Sequence, residues 1–547
     1  ALIGIIVWVV RQKQNDSADY FLGGRDATWL AIGASIFASN IGSEHLIGLA
    51  GAGASSGMAM AHWEIQGWMI LILGWVFVPF YSRSMVYTMP EFLERRYNPQ
   101  SRTILSVISL VSYVLTKVAV TVYAGGLVFQ QVFGIKELWG IDFFWIAAIG
   151  LVVLTALYTI FGGMKSVLYT SVLQTPILLL GSLIILVLGF KELGGWDEMM
   201  RVCGAVTVND YGDTMTNLIR SNDDANFPWL GALIGSAIIG FWYWCTDQFI
   251  VQRVLSGKNE KEARRGTIFG AYLKLLPVFL FLIPGMIAFA LHQKYIGAGG
   301  EGFLPMLANG TANADAAFPT LVAKLLPAGV KGLVVCGILA ALMSSLASLF
   351  NSSAMLFTID FYKRFRPETP EKKLVGIGQI ATVVIVILGI LWIPIMRSVG
   401  DVLYTYLQDV QSVLAPGIAA AFLLGICWKR TSAQGGMWGL IAGMIIGLTR
   451  LGAKVYYSNA GEVADSTFKY LFYDMNWLFF CGWMFLFCII VVIVVSLATE
   501  APTAEKIQGL VFGTATKEQK ASTRASWNHW DIIHTVIILA ITGAFYW

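Results

Sequence analysis

The sequence predicts an all-α, multi-pass membrane protein of about 14 transmembrane helices, each near the ~20 residues needed to cross hydrocarbon. Three observations carry this. Of 547 residues, 57% are hydrophobic and only 13% charged, with a mean hydropathy of +0.69; a soluble domain carries about 25% charged residues. Apolar runs of ~20 residues recur from end to end. The basic residues alternate: of 37 Lys and Arg, 24 fall in one alternate set of loops. The positive-inside rule makes that side cytoplasmic and puts both termini outside.

In order, spans are expected at about 1–10 (partial), 28–52, 62–82, 103–133, 141–160, 165–190, 228–252 and 266–292. The 319–360 stretch is too long for one span; a break near Pro327 and Gly329 divides it into a short outer helix and a span from about 331. Further spans follow at 374–396, 401–427, 435–451, 474–499 and 528–547. The opening ALIGIIVWVV reads as the tail of a span, with no cleavable signal peptide. Segments 191–227 and 293–318 read as partly ordered outer lids, and 500–526 as a cytoplasmic linker. The six cysteines are scattered with no Cys-x-x-Cys pair, so neither a disulfide framework nor a zinc site is indicated.

Two spans break the apolar pattern. Ala38 to Gly53 reads ASNIGSEHLIGLAGAG, with Ser39, Asn40, Ser43, Glu44 and His45 at membrane depth. A lipid-facing helix does not tolerate that density of polar groups. Five spans later GFWYWCTDQ, from Gly240 to Gln248, does the same in the opposite direction. Two interrupted spans, five apart and oppositely oriented, point to an inverted-repeat transporter with its site near the midplane.

Intramembrane ionisable groups are functional candidates by default. Here they are Glu44, His45, His62, Glu64, Lys117, Asp247, Lys274 and Asp409, with Gln408 beside the last. Glu44, Lys117 and Asp247 receive no role. Gly240, Tyr243, Trp244 and Asp247 share one helix face, and the Tyr–Trp pair is either core packing or a platform for a sugar ring. A polyol needs neutral donors and acceptors with an aromatic wall; Asn40, His45, Glu64, Lys274 and Gln408 supply the first, Tyr243, Trp244 and Trp63 the second. No arginine is expected inside a span, which weighs against an anionic ligand. SSLASLFNSS places Ser344 and Ser345 deep in a span. Such serines commonly bond their own i−4 carbonyls; with carbonyls freed by a helix break they could instead cage a monovalent cation. Paired catalytic carboxylates and nucleophile–base sets are lacking, so an enzyme is not expected.

Long motifs then make the chain recognisable: FASNIGSEHLIGLAGAGASSG, TMPEFLERRY, FGGMKSVLYTSVLQT, FWYWCTDQFIVQRVLSGKNEKEARRG, YLKLLP, ALMSSLASLFNSS, FTIDFYKR and AAAFLLGICWKR. It resembles the sodium/solute symporter family, most of all its sodium–glucose cotransporters. The resemblance implies the fold of the bacterial leucine transporter, two inverted five-helix repeats at 28–190 and 228–427. A partial extra helix and cytoplasmic loop (1–27), an extracellular loop (191–227) and C-terminal helices (428–547) would flank them. Sodium, the coupling ion, would meet the carbonyls of Ala38, Ile41 and Ala341 and the hydroxyls of Ser344 and Ser345. Sugar would meet Asn40, His45, Glu64, Lys274 and Gln408, with Tyr243 closing the inner side beside Trp244. Leu49, Trp63 and Tyr404 would form the outer gate. The implied function is sodium-coupled import of a glucose- or galactose-type sugar across the plasma membrane. Alternatives are myo-inositol or another small solute, a sugar-gated channel or sensor on the same fold, and proton coupling. The chain departs from the family at Ser171, often acidic in relatives, at Ala341, often serine where a second sodium is used, and at Gly240, often Asn or Thr. The first two imply one sodium per sugar; the third bears on the substrate.

Overall fold

The computed structural model describes residues 16–42, 44–307, 310–396, 403–459 and 464–546, and within these the side chains of 115, 116, 392–396, 403–406 and 458–459 lie outside the description. The expected partial span at 1–10 is outside it too. Among the described residues nine helical stretches are long and apolar enough to cross a membrane, with shorter apolar helices at Trp29–Asn40, Ala119–Phe133 and His529–Phe545. Among the described residues the architecture is helical apart from a short hairpin of two residues per strand, Glu137–Leu138 against Ile141–Asp142.

Glycines punctuate two of the long stretches. Glu44–Ser84 turns at Gly57 (φ 68°, ψ −142°). Phe143–Leu193 turns at Gly163 (φ 54°, ψ −152°), where a side chain would also strike the Tyr20 carbonyl at 2.4 Å. Positive φ costs L-residues steric strain that glycine avoids. The stretch expected at 319–360 divides as Ala317–Leu325 and Ala328–Met355, separated by extended Leu326 and Pro327. The 500–526 linker is ordered: Lys517–Ala525 is helical, and Thr523 accepts a bond from Arg83 at 2.7 Å.

Both expected breaks are present. The first helix stops at Asn40, Ile41 is extended (φ −82°, ψ 90°), and helical bonding resumes over Glu44–Leu49 and Ala50–Ser56. The second, Trp229–Gly240, passes through a π-helical stretch at Phe241–Thr246 to extended Asp247 and resumes at Gln248–Leu255. Each half of the first broken helix packs on a different half of the Glu260–Gly297 span, which carries Lys274. A Cβ at Gly33 would lie 2.8 Å from the Gly266 carbonyl, and one at Gly285 would lie 1.9 Å from the Ala50 carbonyl. Such backbone contact needs small residues, the usual device where lipid gives helices no hydrophobic drive to associate. It holds Asn40 and His45 beside Lys274.

Arg450 corrects one expectation. It lies inside the Ala433–Asn459 helix, buried, donating to the Met475 carbonyl at 2.8 Å. Its guanidinium lies over the Phe480 ring and does not line the cavity described below.

Candidate functional site

The first break redirects backbone donors. In a continuous helix the Gly42 and His45 amides would bond the carbonyls of Ala38 and Ile41. Here Gly42 N–H bonds the Asn40 carbonyl at 3.1 Å and His45 N–H bonds the Gly42 carbonyl at 3.2 Å. The two carbonyls expected to serve sodium therefore lose their helical donors. Ser345 Oγ donates to the Ser39 carbonyl at 2.9 Å, and Ser39 Oγ lies 2.7 Å from Ser348 Oγ. Ser344 Oγ lies 3.2 Å from Ser171 Oγ, which donates to the Val167 carbonyl. A Cβ at Gly42 would sit 2.5 Å from Ser345 Oγ, so glycine permits this contact. Ala341 is buried one turn before Ser345 on the same helix. The result is a cluster of neutral oxygens, the donor set suited to a hard monovalent cation.

A chain of side chains leads from the break into a small cavity. Asn40 Nδ2 is 3.3 Å from His45 Nε2, His45 Nε2 is 3.1 Å from Glu64 Oε2, and Lys274 Nζ donates to the same oxygen at 2.6 Å. Lys274 also lies over the Trp244 ring, 5.4 Å from its centroid. The cavity is lined by Asn40, Glu44, His45, Trp63, Gln66, Ile239, Gly240, Tyr243, Trp244, Lys274, Gln408 and Gln411. Its free space is about 30 Å³, above the ~10–15 Å³ that admits one water and far short of a sugar, so a sugar-sized ligand requires side chains to move apart. Trp63 Nε1 and Gln408 Oε1, on residues 4% and 5% exposed, are buried with no hydrogen-bond partner among the described residues. A donor and an acceptor thus remain unspent on the wall.

Below the cavity the second break is pinned by charge. Lys117 Nζ donates to Asp247 Oδ2 at 2.6 Å, and Tyr113 OH donates to Asp247 Oδ1. The ammonium is surrounded by the Tyr113, Trp242, Tyr243 and Phe249 rings, at 4.6–5.4 Å from their centroids. Cation–π attraction is strongest when desolvated. Asp247 also caps the following helix through the Phe249 amide at 3.2 Å. Tyr243 packs edge-on against Trp244 at 4.9 Å. Lys117 and Asp247, unassigned from the sequence, are thus partners that hold the Tyr243 break. Glu44, also unassigned, lines the cavity.

Of the expected substrate residues, six line one cavity; Glu64, fully buried, lies behind it and orients His45 and Lys274. Of the expected gate, Trp63 lines the cavity, whereas Leu49 is buried outside the lining set. The Tyr404 side chain lies outside the described residues. Trp63 stacks on Trp477 at 5.6 Å and meets Phe227 edge-on at 6.2 Å. Sequence reasoning missed Trp477, Phe227, Gln66 and Gln411. An amide two residues after Glu64 was the available signal for Gln66; the aromatic partners come from distant segments and gave none. Asp409 pairs with Lys454, away from the cavity.

Comparison with known proteins places the chain in a family and its helices in a known fold. The sodium:solute symporter family model matches residues 20–443. Human sodium/myo-inositol cotransporter 2 is 36% identical over 527 residues, covering 94% of this chain and 77% of that one. The dog sodium/myo-inositol cotransporter is 37% identical over 536 residues, covering 93% and 74%. A Na+-coupled sialic acid symporter, solved substrate-bound and outward-open, superposes with a TM-score of 0.72 at 21% identity, covering 92% of this chain and 98% of that one. MhsT in complex with L-phenylalanine superposes with a TM-score of 0.50 at 12% identity, covering 86% and 99%. The fold is therefore the inverted-repeat fold of the leucine transporter, and Na+ is the coupling ion. With that fold, two broken helices and a neutral-oxygen cluster at the first break, the chain belongs to the sodium:solute symporter family.

Proposed function

We propose that this chain imports a neutral cyclic polyol of the myo-inositol type, driven by sodium, by alternating access across the plasma membrane. The observation that carries the reading is the cavity wall: buried Trp63 Nε1 and Gln408 Oε1 stand without partners, while Lys274 and Glu64 neutralise each other. Such a wall offers a neutral ligand separate donors and acceptors. The names of the relatives move the substrate from glucose toward myo-inositol. A glucose- or galactose-type hexose is the second reading, supported by the Tyr243 and Trp244 rings on the wall.

In this reading residues 28–190 and 228–427 are the two repeats, 191–227 the extracellular loop, and 1–27 and 428–547 the flanking segments, with both termini outside. Sodium bridges the first break to the Ser344–Ser345 helix and favours the outward-open conformer through differential affinity. Polyol then binds, Trp63 closes one side, and release follows when Tyr243 yields on the other. The membrane potential adds ~2.3 kcal/mol per charge per 100 mV. Ser171 and Ala341 favour one sodium per polyol. Uptake of labelled myo-inositol, glucose and galactose by proteoliposomes, with and without a sodium gradient, tests the whole reading. Myo-inositol accumulation only with sodium supports it. Uptake driven by a pH gradient alone, or sodium current without accumulation, sinks it.

A further inference from the structure

Gln66, in the turn between Ala61–Glu64 and Gly67–Ile72, and Gly240, at the end of Trp229–Gly240, face each other on the cavity wall. Gln66 is buried, and its Nε2 lies 2.7 Å from the Ser236 carbonyl. A carbonyl only accepts, so the amide nitrogen must be the atom facing it, and this fixes the side-chain orientation. Gln66 Oε1 is thereby turned toward Gly240, where a Cβ would lie 2.5 Å from it, 2.9 Å from Cδ and 3.1 Å from Nε2. The amide and any side chain at 240 exclude each other. In this chain the wall at that point is an acceptor held in place by its own donor.

We infer that Gln66 is a specificity-determining residue, its carbonyl oxygen a fixed acceptor that favours a ring bearing a hydroxyl on every carbon over a pyranose. The inference rests on the polyol reading above. A cyclic polyol meets the acceptor with a hydroxyl donor whichever ring edge it presents. A pyranose does so only in orientations that keep its ring oxygen, an acceptor with no proton to give, away from Gln66. Asn40, His45 and Lys274, on the same cavity, restrict those orientations further. A buried acceptor facing another acceptor loses its hydrogen bond and keeps its desolvation cost, which is how a polar site rejects an analogue lacking the donor.

The test is sodium-driven uptake of labelled myo-inositol, D-glucose and D-galactose, normalised to protein in the membrane, by wild type, Gln66→Ala and Gly240→Ala. The glycine variant adds one methyl group and displaces only the flexible end of Gln66. Each variant is expected to raise the KM for myo-inositol about 3- to 10-fold, the range of one lost neutral hydrogen bond. The KM for the hexoses should hold or fall, so the preference moves toward pyranoses. Wild-type uptake of myo-inositol with the preference unchanged in both variants overturns the role of Gln66 alone. A wild type that takes up no myo-inositol overturns the polyol reading, and this inference with it.

Discussion

Lys274 Nζ lies 2.6 Å from Glu64 Oε2, across 210 residues of sequence, and both residues are buried, at 4% and 0% exposure. The pair ties two helices together directly behind the cavity. Removing one member of such a pair strands the other charge and costs about 3–5 kcal/mol, whereas replacing both by neutral groups of similar volume is often close to neutral. Glu64→Gln should therefore melt earlier in detergent and lose uptake. Glu64→Gln combined with Lys274→Met should recover much of the melting temperature and still fail to transport, because His45 loses its carboxylate partner. A double variant that transports normally contradicts this assignment.

Sodium dependence should be sensitive at Gly42. An added Cβ would lie 2.5 Å from Ser345 Oγ and 3.0 Å from Ser345 Cβ, forcing the break away from the serine helix. Gly42→Ala and Ser345→Ala should each raise the sodium concentration for half-maximal uptake about 10-fold or more, the scale of losing a hydrogen bond near a charge, about 1.5–3 kcal/mol. Ser344→Ala should abolish sodium dependence more than it alters protein level. Sodium titration of uptake at matched surface levels measures all three. Unchanged sodium activation in Ser344→Ala removes the ion from this cluster.

Asp247 does two things, and two substitutions separate them. It pairs with Lys117 and caps the Gln248–Leu255 helix. Asp247→Asn keeps a capping oxygen but strands the Lys117 ammonium among aromatic rings. Asp247→Ala also removes the cap, a further cost of about 1 kcal/mol. The expected order of thermal stability is wild type, then Asn, then Ala, with transport impaired in both. Equal stability of the two variants would show that the cap contributes nothing.

The loop carrying Phe227 should respond to acid only below the ordinary aspartate range. Burial pushes the Asp224 carboxyl up, but the Phe227 and Asn226 amides, the Asn209 side chain and Arg220 outweigh it and hold it below its ordinary value of 3.8. A carboxyl lowered in the folded state contributes stability above its unfolded pKa and loses it as pH falls through the folded one. Amide protection in 205–227, taken relative to the intrinsic exchange rate at each pH, should therefore stay flat from neutral pH to about pH 4 and fall below it. Asp224→Asn should show reduced protection at neutral pH and converge with the wild type at the acid end. Since Phe227 meets Trp63, that variant should also weaken polyol retention. An Asp224→Asn loop with wild-type exchange would mean the carboxylate does not organise it.

Much of the fold was legible in the chain because the bilayer imposes a strong one-dimensional rule: apolar runs of fixed length, with exceptions only where backbone is sheltered. The exceptions were visible as polar residues at depth. Both breaks fall where ASNIG and WCTD stand, and Asn40, His45, Tyr243, Trp244, Lys274 and Gln408 do line one cavity. Motif resemblance, rather than periodicity, brought these residues together from distant spans.

What the sequence by itself determined is the class of molecule, the position of its two interruptions and the chemical character of the groups gathered there, since each depends on local residue type in hydrocarbon. What only the tertiary structure decided is who partners whom. Glu64 stands behind the cavity, Lys117 is matched to Asp247, Trp63 rests on Trp477 and Phe227, and Gln66 fills the space that Gly240 leaves. Those pairings all span 130 residues or more. They follow from glycine-mediated helix contact and from the requirement that buried charge and buried polar atoms find partners, conditions set by three-dimensional packing and invisible along the chain.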